Sequence, residues 1–185
     1  MKQEEVALAG PVVAAAVVLD KNCPIIGIND SKKITEKKRK KLFEEIYLYA
    51  LDVSTGFVYP EEIDDINILQ ASVKAMKLAV EGLRMVPSHL LIDGNYFTDY
   101  DLPYTTIVKG DEISISVAAA SIIAKVTRDE WMISKAHKQF PEYGFDKHKG
   151  YPTDMHYKNI QKFGICPLHR RTFLDEKVEL QTSLF

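Results

Sequence analysis

Two aspartates stand where metal-dependent chemistry could be supported. Asp93 follows the apolar segment His89–Ile92. Asp111 comes shortly after Tyr104–Val108, and both segments have the residue types of β-strands. Ligands of open α/β sheets collect at the carboxyl ends of the strands. Two carboxylates brought together there repel each other unless a cation holds them, so the positions predict a divalent-metal site, with Mg²⁺ as the favoured ion.

Both aspartates also have ordinary structural explanations. Asp93-Gly94 is a common turn dipeptide, and Asp111 could cap the helix that follows it. Position alone leaves metal binding and these two structural roles open.

The elements that must position these residues indicate an α/β fold. Strands are predicted at 12–19, 52–59, 89–92 and 104–108, and the first of them should be buried. Helices are predicted at 37–50, at 61–66, from Asn67 to a stop before Pro87, at 112–140 and at 154–163. Strands mixed with helices in this order are typical of a layered α/β structure with a mixed sheet.

The sequence also predicts helix N-caps and the buried face of the first helix. Thr35 is a suitable N-cap, and Asn67 is suited to cap the long helix in the same way. The inner side of the first helix should carry Leu42, Phe43, Ile46 and Leu48 or Tyr49.

Composition places the chain among ordinary globular proteins. It has 185 residues, 46% hydrophobic and 27% charged, which predicts one domain over 1–173 followed by a flexible tail, 174–185. The apolar run Leu8–Leu19 is interrupted by a Gly-Pro pair and is too short to span a bilayer. No membrane partner is therefore expected. Cys23 and Cys166 are predicted to be free thiols in a reducing cytoplasm.

Basic residues are clustered although the net charge is only −2. Lysines and arginines crowd residues 32–41, and smaller groups lie at 147–149 and 169–171. Such clusters suit local contact with phosphate. The run Lys37–Lys41 could equally be the solvated face of a helix.

A series of sequence blocks resembles the ribonuclease HII family, the type 2 ribonucleases H. The blocks are Asn-Asp-Ser-Lys-Lys at 29–33, Ile-Asp-Gly-Asn at 92–95, Lys-Gly-Asp at 109–111, the segments 116–129 and 143–145, His-Lys-Gly-Tyr-Pro-Thr at 148–153, and 167–173. They stand in the family's order and extend from about Leu8 to Phe173. The resemblance implies a ribonuclease H-like fold, with a mixed central sheet flanked by helices and a C-terminal helical extension.

The resemblance also implies an activity. Members are endoribonucleases that hydrolyse the RNA strand of RNA/DNA hybrids and cut 5′ of ribonucleotides embedded in duplex DNA. Four acidic residues hold two ions, Mg²⁺ or Mn²⁺, about 4 Å apart, and Asp93 and Asp111 match the third and fourth acids. Tyr151 matches the tyrosine that stacks on the deoxyribose after the ribonucleotide.

Other residues of the matched blocks are candidates for contact with nucleic acid. They are Asn29, Ser31, Lys32, Lys33, His148, Lys149 and Arg170. Lys32 is the best candidate for direct phosphate contact. Arg170 could instead tie the C-terminal region to the core. Asp129 is expected to form a salt bridge with Arg128 or Lys125 rather than to act in catalysis.

The start of the chain departs from the family pattern. Members normally carry Asp-Glu and then Ala-Gly-Arg-Gly-Pro before Leu-Ala-Gly-Pro-Val-Val, of which only the last block, Leu8–Val13, is present here. The acid pair falls either on Met1-Lys2 or on Glu4-Glu5, and neither alignment supplies the Gly-Arg-Gly loop that contacts the ribose 2′-OH. Glu5, with Glu4, is the candidate replacement as catalytic acid and metal ligand. The alternative is a catalytically impaired hybrid-binding member.

The last five residues suggest a protein partner. Gln181, Leu184 and Phe185 resemble the short bacterial peptide that binds the sliding clamp, in which apolar anchors dock into a groove. A frayed end with incidental hydrophobic residues would look the same. The chain itself is expected to be a monomer.

Overall fold

The computed structural model describes residues 6–20, 22, 25, 27–28 and 34–174. They form α-helices and β-strands in a mixed order, which confirms the predicted α/β class. They fall into two compact units, each assembled from separate stretches of the chain. Among these described residues, no helix is long and apolar enough to cross a membrane.

The first unit comprises residues 13–57 and 72–127 and holds nearly all of the strands. Strand β1 (Val12–Leu19) pairs with β2 (Ala50–Val58), and β3 (Leu90–Asp93) pairs in parallel with β4 (Tyr104–Ile107). Each strand lies where the sequence predicts it, with bounds shifted by at most two residues. Asp93 is the Cα partner of Ile107 in the parallel register, so β3 and β4 end at the same edge.

Two helices supply most of the core of this unit. They are α1 (Glu36–Tyr49) and α4 (Ile115–Trp131). Thr35 caps α1 as predicted, because its Oγ1 accepts the N–H of Lys38 at 3.3 Å. Buried residues of both helices pack together, namely Leu42, Ile46, Ala118, Ala119, Ile122, Ile123 and Val126.

Two predictions about burial are wrong. Leu48 is 72% exposed and Tyr49 is 46% exposed. Leu48 lies only two residues after the buried Ile46, which places it about 200° further around the helix, on the opposite side. Strand β1 is half-buried along its whole length rather than fully buried. Its alternate residues, with Val17 at the centre, pack against the core, because successive side chains of a strand point to opposite faces.

Helix α2 (Pro60–Glu81) is interrupted at Asn67. The backbone there is non-helical, with φ 66° and ψ 166°. The Asn67 side chain accepts the N–H of Leu69 at 3.0 Å and that of Gln70 at 3.2 Å. These bonds confirm that Asn67 caps the longer part of the helix, which ends at Glu81, earlier than predicted.

Asp52 of β2 fastens the turn that follows α2. Its buried carboxylate accepts the N–H of Arg84 at 2.6 Å and that of Met85 at 2.9 Å. The hydrogen bond from Met85 is the largest effect that holds the pKa of this carboxyl below its usual value. The turn is thus closed by a buried acid rather than by Pro87.

The region predicted as one helix at 112–140 is divided. It contains α3 (Gly110–Ile113), α4, a π-helical turn (Met132–Ala136) and α5 (His137–Gln139). Ser114 separates α3 from α4 with an extended backbone, φ −120° and ψ 126°. Its N–H donates to the carbonyl of Gly110 and its carbonyl accepts the N–H of Ala118, so the break leaves neither group unbonded.

The second unit comprises residues 6–12, 58–71 and 128–174 of the described chain. It contains α6 (Phe145–His148), α7 (Asp154–Phe163) and two 3₁₀ turns, Pro141–Tyr143 and Arg171–Phe173. The predicted helix at 154–163 is confirmed. The core of this second unit is formed by buried residues from several stretches of the chain, namely Leu8, Ala9, Met132, Ala136, Tyr143, Phe145, Ile160 and Cys166.

The segment 8–11 is fastened on two sides within this second unit. The N–H of Leu8 donates to the carbonyl of Gly150 at 2.8 Å. The carbonyl of Leu8 accepts the N–H of Arg170 at 2.8 Å. Stretches of chain about 140 and 160 residues away therefore hold this segment through backbone hydrogen bonds.

Candidate active site

Asp93 lies where the parallel strands end. It is the last residue of β3, and the backbone turns immediately after it, since Gly94 has φ 115° and donates its N–H to the carbonyl of Ile107 at 3.0 Å. One carboxylate oxygen of Asp93 accepts the N–H of Gly110 at 2.9 Å. This bond fixes the orientation of an otherwise exposed carboxylate.

Asp111 follows Gly110 directly and is 2% exposed. Lys109 is the N-cap of α3 and adopts the left-handed conformation, φ 55°, which turns the chain out of β4. Asp111 lies inside α3, so the prediction that it caps this helix is wrong. The structure thus places Asp93 in contact with the residue that precedes Asp111, as the strand positions predict.

The donor set of this pair fits a divalent cation. Carboxylate oxygens are the ligands that Mg²⁺ and Mn²⁺ prefer, and a buried carboxylate such as Asp111 is stabilised by a nearby positive charge. Within the part of the chain that the structure describes, no group of three or more His, Cys, Asp or Glu residues is arranged to hold a metal ion. Asp93 and Asp111 could supply two carboxylate ligands to such an ion.

Several predicted site residues lie outside the described residues. They are Glu4, Glu5, Asn29, Ser31, Lys32, Lys33, Gln181, Leu184 and Phe185. Their roles remain predictions from the sequence.

Tyr151 lies in the second unit and is half-buried. Its carbonyl accepts the N–H of Thr153 at 2.9 Å and a hydrogen bond from Nδ1 of His156 at 3.0 Å. The guanidinium of Arg128 lies over its ring, 5.1 Å from the centroid. Both the backbone and the ring of Tyr151 are thus held from within the unit.

The structure corrects the prediction that His148 contacts nucleic acid. His148 is 7% exposed, and its Nε2 donates to the carbonyl of Tyr143 at 2.8 Å while Nδ1 accepts the N–H of Gly150 at 3.2 Å. Burial lowers the pKa of the ring. Both nitrogens are engaged and the side chain is covered, so His148 supports the loop and has no free atom for a phosphate. The neighbouring Lys149 is partly exposed, and its contact with nucleic acid stays a prediction.

Arg170 has the structural role that the sequence left open. It is 3% exposed, and its guanidinium donates to the carbonyls of Gly10 at 3.0 Å and Pro11 at 3.2 Å. The guanidinium carbon lies over the ring of Phe173, 5.6 Å from its centroid. Arg170 therefore ties the C-terminal region to the segment 8–11, which corrects the prediction that it contacts nucleic acid.

Two features of this unit were not predicted. One is the contact of Arg128 with Tyr151, since the sequence predicts Arg128 only as an ion-pair partner of Asp129. That ion pair is confirmed, with 3.9 Å between a terminal nitrogen of Arg128 and a carboxylate oxygen of Asp129. The other is a hydrogen bond between two buried histidine rings, in which Nε2 of His169 and Nε2 of His156 lie 3.1 Å apart. Burial lowers the pKa of His156 to about 3 and that of His169 to about 4. No regular spacing in the sequence signals either feature.

Comparison with known proteins identifies the chain. The profile of the family described as Ribonuclease HII matches residues 6–176. The chain belongs to the ribonuclease HII family. It is therefore a nuclease of the type 2 ribonuclease H class, as its sequence blocks predict. A ribonuclease HII of Shewanella halifaxensis is 52% identical over 166 residues, which cover 90% of this chain and 81% of that protein.

Solved structures of type 2 enzymes are similar as well. The ribonuclease H2 of Pyrococcus horikoshii OT3 superposes with a TM-score of 0.79 at 27% identity, covering 99% of this chain and 96% of that one. The ribonuclease HII of Archaeoglobus fulgidus, solved in complex with PCNA, gives 0.71 at 26% identity and covers 91% and 90% of the two chains. These likenesses confirm the predicted ribonuclease H-like fold of this ribonuclease HII relative.

A more distant ribonuclease shares the fold. Bst-RNase HIII, solved in complex with Mn²⁺, gives a TM-score of 0.69 at 18% identity and covers 98% of this chain and 68% of that one. At this identity the likeness shows the fold alone.

Proposed function

We propose that this member of the ribonuclease HII family hydrolyses the RNA strand of RNA/DNA hybrids and cuts 5′ of single ribonucleotides in duplex DNA. The observation that carries the proposal is the hydrogen bond that fixes the Asp93 carboxylate against Gly110, next to the buried Asp111. In a member of the ribonuclease HII family, an oriented carboxylate and a buried one that follow parallel strands are suited to metal-dependent hydrolysis of a phosphodiester.

Asp93 and Asp111 would hold the cation, Mg²⁺ or Mn²⁺. When bound, it supplies a water of lowered pKa and neutralises negative charge at the phosphate. The N–H of Gly110 engages one oxygen of Asp93 and keeps the carboxylate turned toward one position. Burial of Asp111 places its charge in a medium of low dielectric, where attraction to a cation is stronger. Glu5, with Glu4, is proposed to complete the acidic set for a two-metal site.

Contact with the nucleic acid is proposed for five polar residues and for Tyr151. Asn29, Ser31, Lys32 and Lys33 would bind the phosphate backbone, and the partly exposed Lys149 would do the same. Tyr151 would stack on the deoxyribose that follows the ribonucleotide. Its half-buried ring is held by Arg128, which supports a fixed stacking surface.

Loss of Asp93 tests the proposed hydrolysis. The substrate is a labelled DNA duplex with one embedded ribonucleotide, in Mg²⁺ or Mn²⁺. Removing a residue that only hydrogen-bonds to a metal ligand lowers metal affinity or activity by about 10- to 100-fold. Asp93→Asn removes a direct ligand, so cleavage should fall by at least about 100-fold.

A matched control separates this effect from a general change of charge. Asp99 is exposed, lies in the same unit and has φ 52°, a conformation that asparagine also adopts. Asp99→Asn should cleave like the wild type. Equal activity of Asp93→Asn and Asp99→Asn would contradict the role proposed for Asp93.

A second candidate function is a catalytically impaired protein that binds hybrids. It applies if Glu5, with Glu4, does not replace the Asp-Glu pair of the family, because Asp93 and Asp111 are then left without the other two acids. Fluorescence anisotropy with an uncleavable hybrid, together with the number of Mn²⁺ ions bound, distinguishes the two candidates. Tight binding by a folded chain that binds one ion or none and makes no cut would favour the impaired protein.

A sliding clamp is the proposed protein partner of an otherwise monomeric chain. The peptide containing Gln181, Leu184 and Phe185 supports it, as does the PCNA complex of the Archaeoglobus fulgidus enzyme. Deleting residues 181–185 should abolish binding to a clamp in a pull-down and leave cleavage of short duplexes unchanged. Retained binding would exclude this peptide as the docking site. A cytoplasmic location is also proposed, and the buried free thiol of Cys166 is compatible with it.

A further inference from the structure

Arg128 connects two stretches of the second unit that are far apart in sequence. It is 8% exposed. Its Nε donates to the carbonyl of Pro11 at 3.2 Å, one terminal nitrogen donates to that of Ala9 at 3.0 Å, and the other donates to that of Lys149 at 3.1 Å. One guanidinium therefore holds the segment 8–11 and the loop before Tyr151 at the same time.

The loop that Arg128 holds has an unusual backbone. Lys149 has φ 52° and Gly150 has φ 82°, both in the left-handed region. A left-handed conformation is unfavourable for a lysine unless its surroundings impose it. The bond from Arg128 to the Lys149 carbonyl is one such restraint, and it lies two residues from the ring of Tyr151.

The same guanidinium also contacts the Tyr151 ring directly, with 5.1 Å between its carbon and the ring centroid. The nearest ion-pair partner of Arg128 is Asp129, at 3.9 Å, which is long for a hydrogen bond. A buried cation with mainly carbonyl partners gains from an aromatic face, and desolvation strengthens that attraction. The ring and the cation thus stabilise each other in one arrangement.

We propose that Arg128 is a positioning residue that fixes the ring of Tyr151 and thereby sets the preference for a ribonucleotide followed by DNA. This inference rests on the function proposed above for Tyr151. Arg128 acts through the tyrosine, since its own side chain is covered and its donors are directed at backbone carbonyls. Its effect should appear at an RNA-to-DNA junction and be small on a uniform hybrid.

Arg170 provides the matched control. It is also buried, and it also donates to the carbonyl of Pro11, but it lies over Phe173 rather than Tyr151. Arg→Lys keeps the charge and removes the planar fork of donors at either position. Arg128→Lys and Arg170→Lys therefore weaken the hold on the same segment, and both keep the positive charge that interacts with Tyr151. Only Arg128→Lys removes the guanidinium from the Tyr151 ring and from the carbonyl of Lys149.

The experiment compares kcat/KM on two substrates for each variant. One is a DNA duplex with a single ribonucleotide, and the other is a uniform RNA/DNA hybrid. A misplacement of about 1 Å in a positioning group can cost up to about 100-fold. Arg128→Lys should lower the ratio of junction to hybrid cleavage by about 10-fold or more, whereas Arg170→Lys should leave this ratio unchanged. An equal effect of both variants on the ratio would overturn the proposal.

A double-mutant cycle supplies a readout that a purely structural role would not produce. If Arg128 acts through Tyr151, Arg128→Lys should not lower the ratio further once Tyr151→Ala has removed the ring. Additive losses would overturn the proposal. Should Arg128→Lys not fold, Arg128→Gln serves as the second variant, because it leaves no buried charge.

Failure of the proposed function is distinguishable from failure of this inference. If the wild type cuts neither substrate, the proposed hydrolysis fails. The ratio is then taken from dissociation constants measured by anisotropy on the same two duplexes. A reduced preference for the junction in Arg128→Lys alone would support the positioning role, and an unchanged preference would overturn it.

Discussion

Gly110 and Gly150 are two residues at which the backbone leaves little room for a side chain. A Cβ on Gly110 would lie 3.0 Å from Cγ1 of Val117 and 3.4 Å from a carboxylate oxygen of Asp93. A Cβ on Gly150 would collide with the carbonyl of Ala9. Glycine is therefore required where the Tyr151 loop approaches the segment 8–11, whereas a side chain at Gly110 would require Val117 or Asp93 to shift.

Gly150→Ala should be strongly destabilising. Its φ of 82° already disfavours alanine, and the collision with backbone adds a second cost that a rotamer change cannot relieve. Gly164 has a similar φ of 76° and nothing within 4 Å of its Cβ position, so Gly164→Ala isolates the conformational cost. Urea denaturation should give a loss for Gly150→Ala that is larger by about 1–3 kcal/mol. Equal losses would contradict the close packing of this loop.

At the scale of elements, short-range signals predict structure well. Thr35 and Asn67 cap the helices for which the sequence proposes them, because a capping side chain bonds to N–H groups only two or three residues ahead. All four strands are also found, since each apolar run is bounded by turn residues.

The sequence does not predict where a long helical pattern is interrupted. The break at Ser114 and the π-helical turn Met132–Ala136 interrupt a stretch whose local pattern is uniformly helical. The break at Ser114 keeps its hydrogen bonds local, because the N–H of Ser114 donates to Gly110 and its carbonyl accepts from Ala118. The break nevertheless matters for the site, because it leaves Asp111 on a helix of four residues directly after β4.

At the scale of the whole molecule, some contacts between residues far apart in sequence can be predicted and others cannot. The Asp93 and Asp111 pair can be predicted from the ends of two strands. The hold on Tyr151 cannot, because it depends on Arg128 of a different helix, and Arg128 is itself bonded to the segment 8–11 at the other end of the chain. Every residue has a backbone carbonyl, so the residue types of its partners do not reveal the bonds of Arg128. In the sequence it looks like any arginine near the end of a helix.

The buried histidines predict how stability depends on pH. His156 donates from Nδ1 to Tyr151 and therefore accepts at Nε2 from His169, whose Nδ1 accepts the N–H of Cys166 at 2.9 Å. This pattern assigns both rings as neutral, in agreement with pKa values of about 3 and about 4. In the unfolded chain both rings bind a proton near pH 6.5, so acid favours unfolding.

The contribution of these two histidines to the free energy of unfolding should be constant above about pH 6.5 and fall as the pH is lowered toward 4. Each histidine contributes up to about 1.4 kcal/mol per pH unit over this range. His156→Gln should reduce the slope measured by urea denaturation between about pH 6.5 and 4.5. His89→Gln, at an exposed position, should keep the wild-type slope. A slope in His156→Gln as steep as that of the wild type would show that this histidine is not buried in its neutral form.

The central claim is that this chain hydrolyses the phosphodiester beside an embedded ribonucleotide through the site at Asp93 and Asp111. The most direct test is to map the product ends at nucleotide resolution, with the wild type in Mg²⁺ or Mn²⁺. The account predicts a single cut on the 5′ side of the ribonucleotide, leaving a 3′-hydroxyl and a 5′-phosphate, and no cut after Asp93→Asn. An intact duplex in the presence of folded wild type, or ends carrying a 2′,3′-cyclic phosphate, would contradict it.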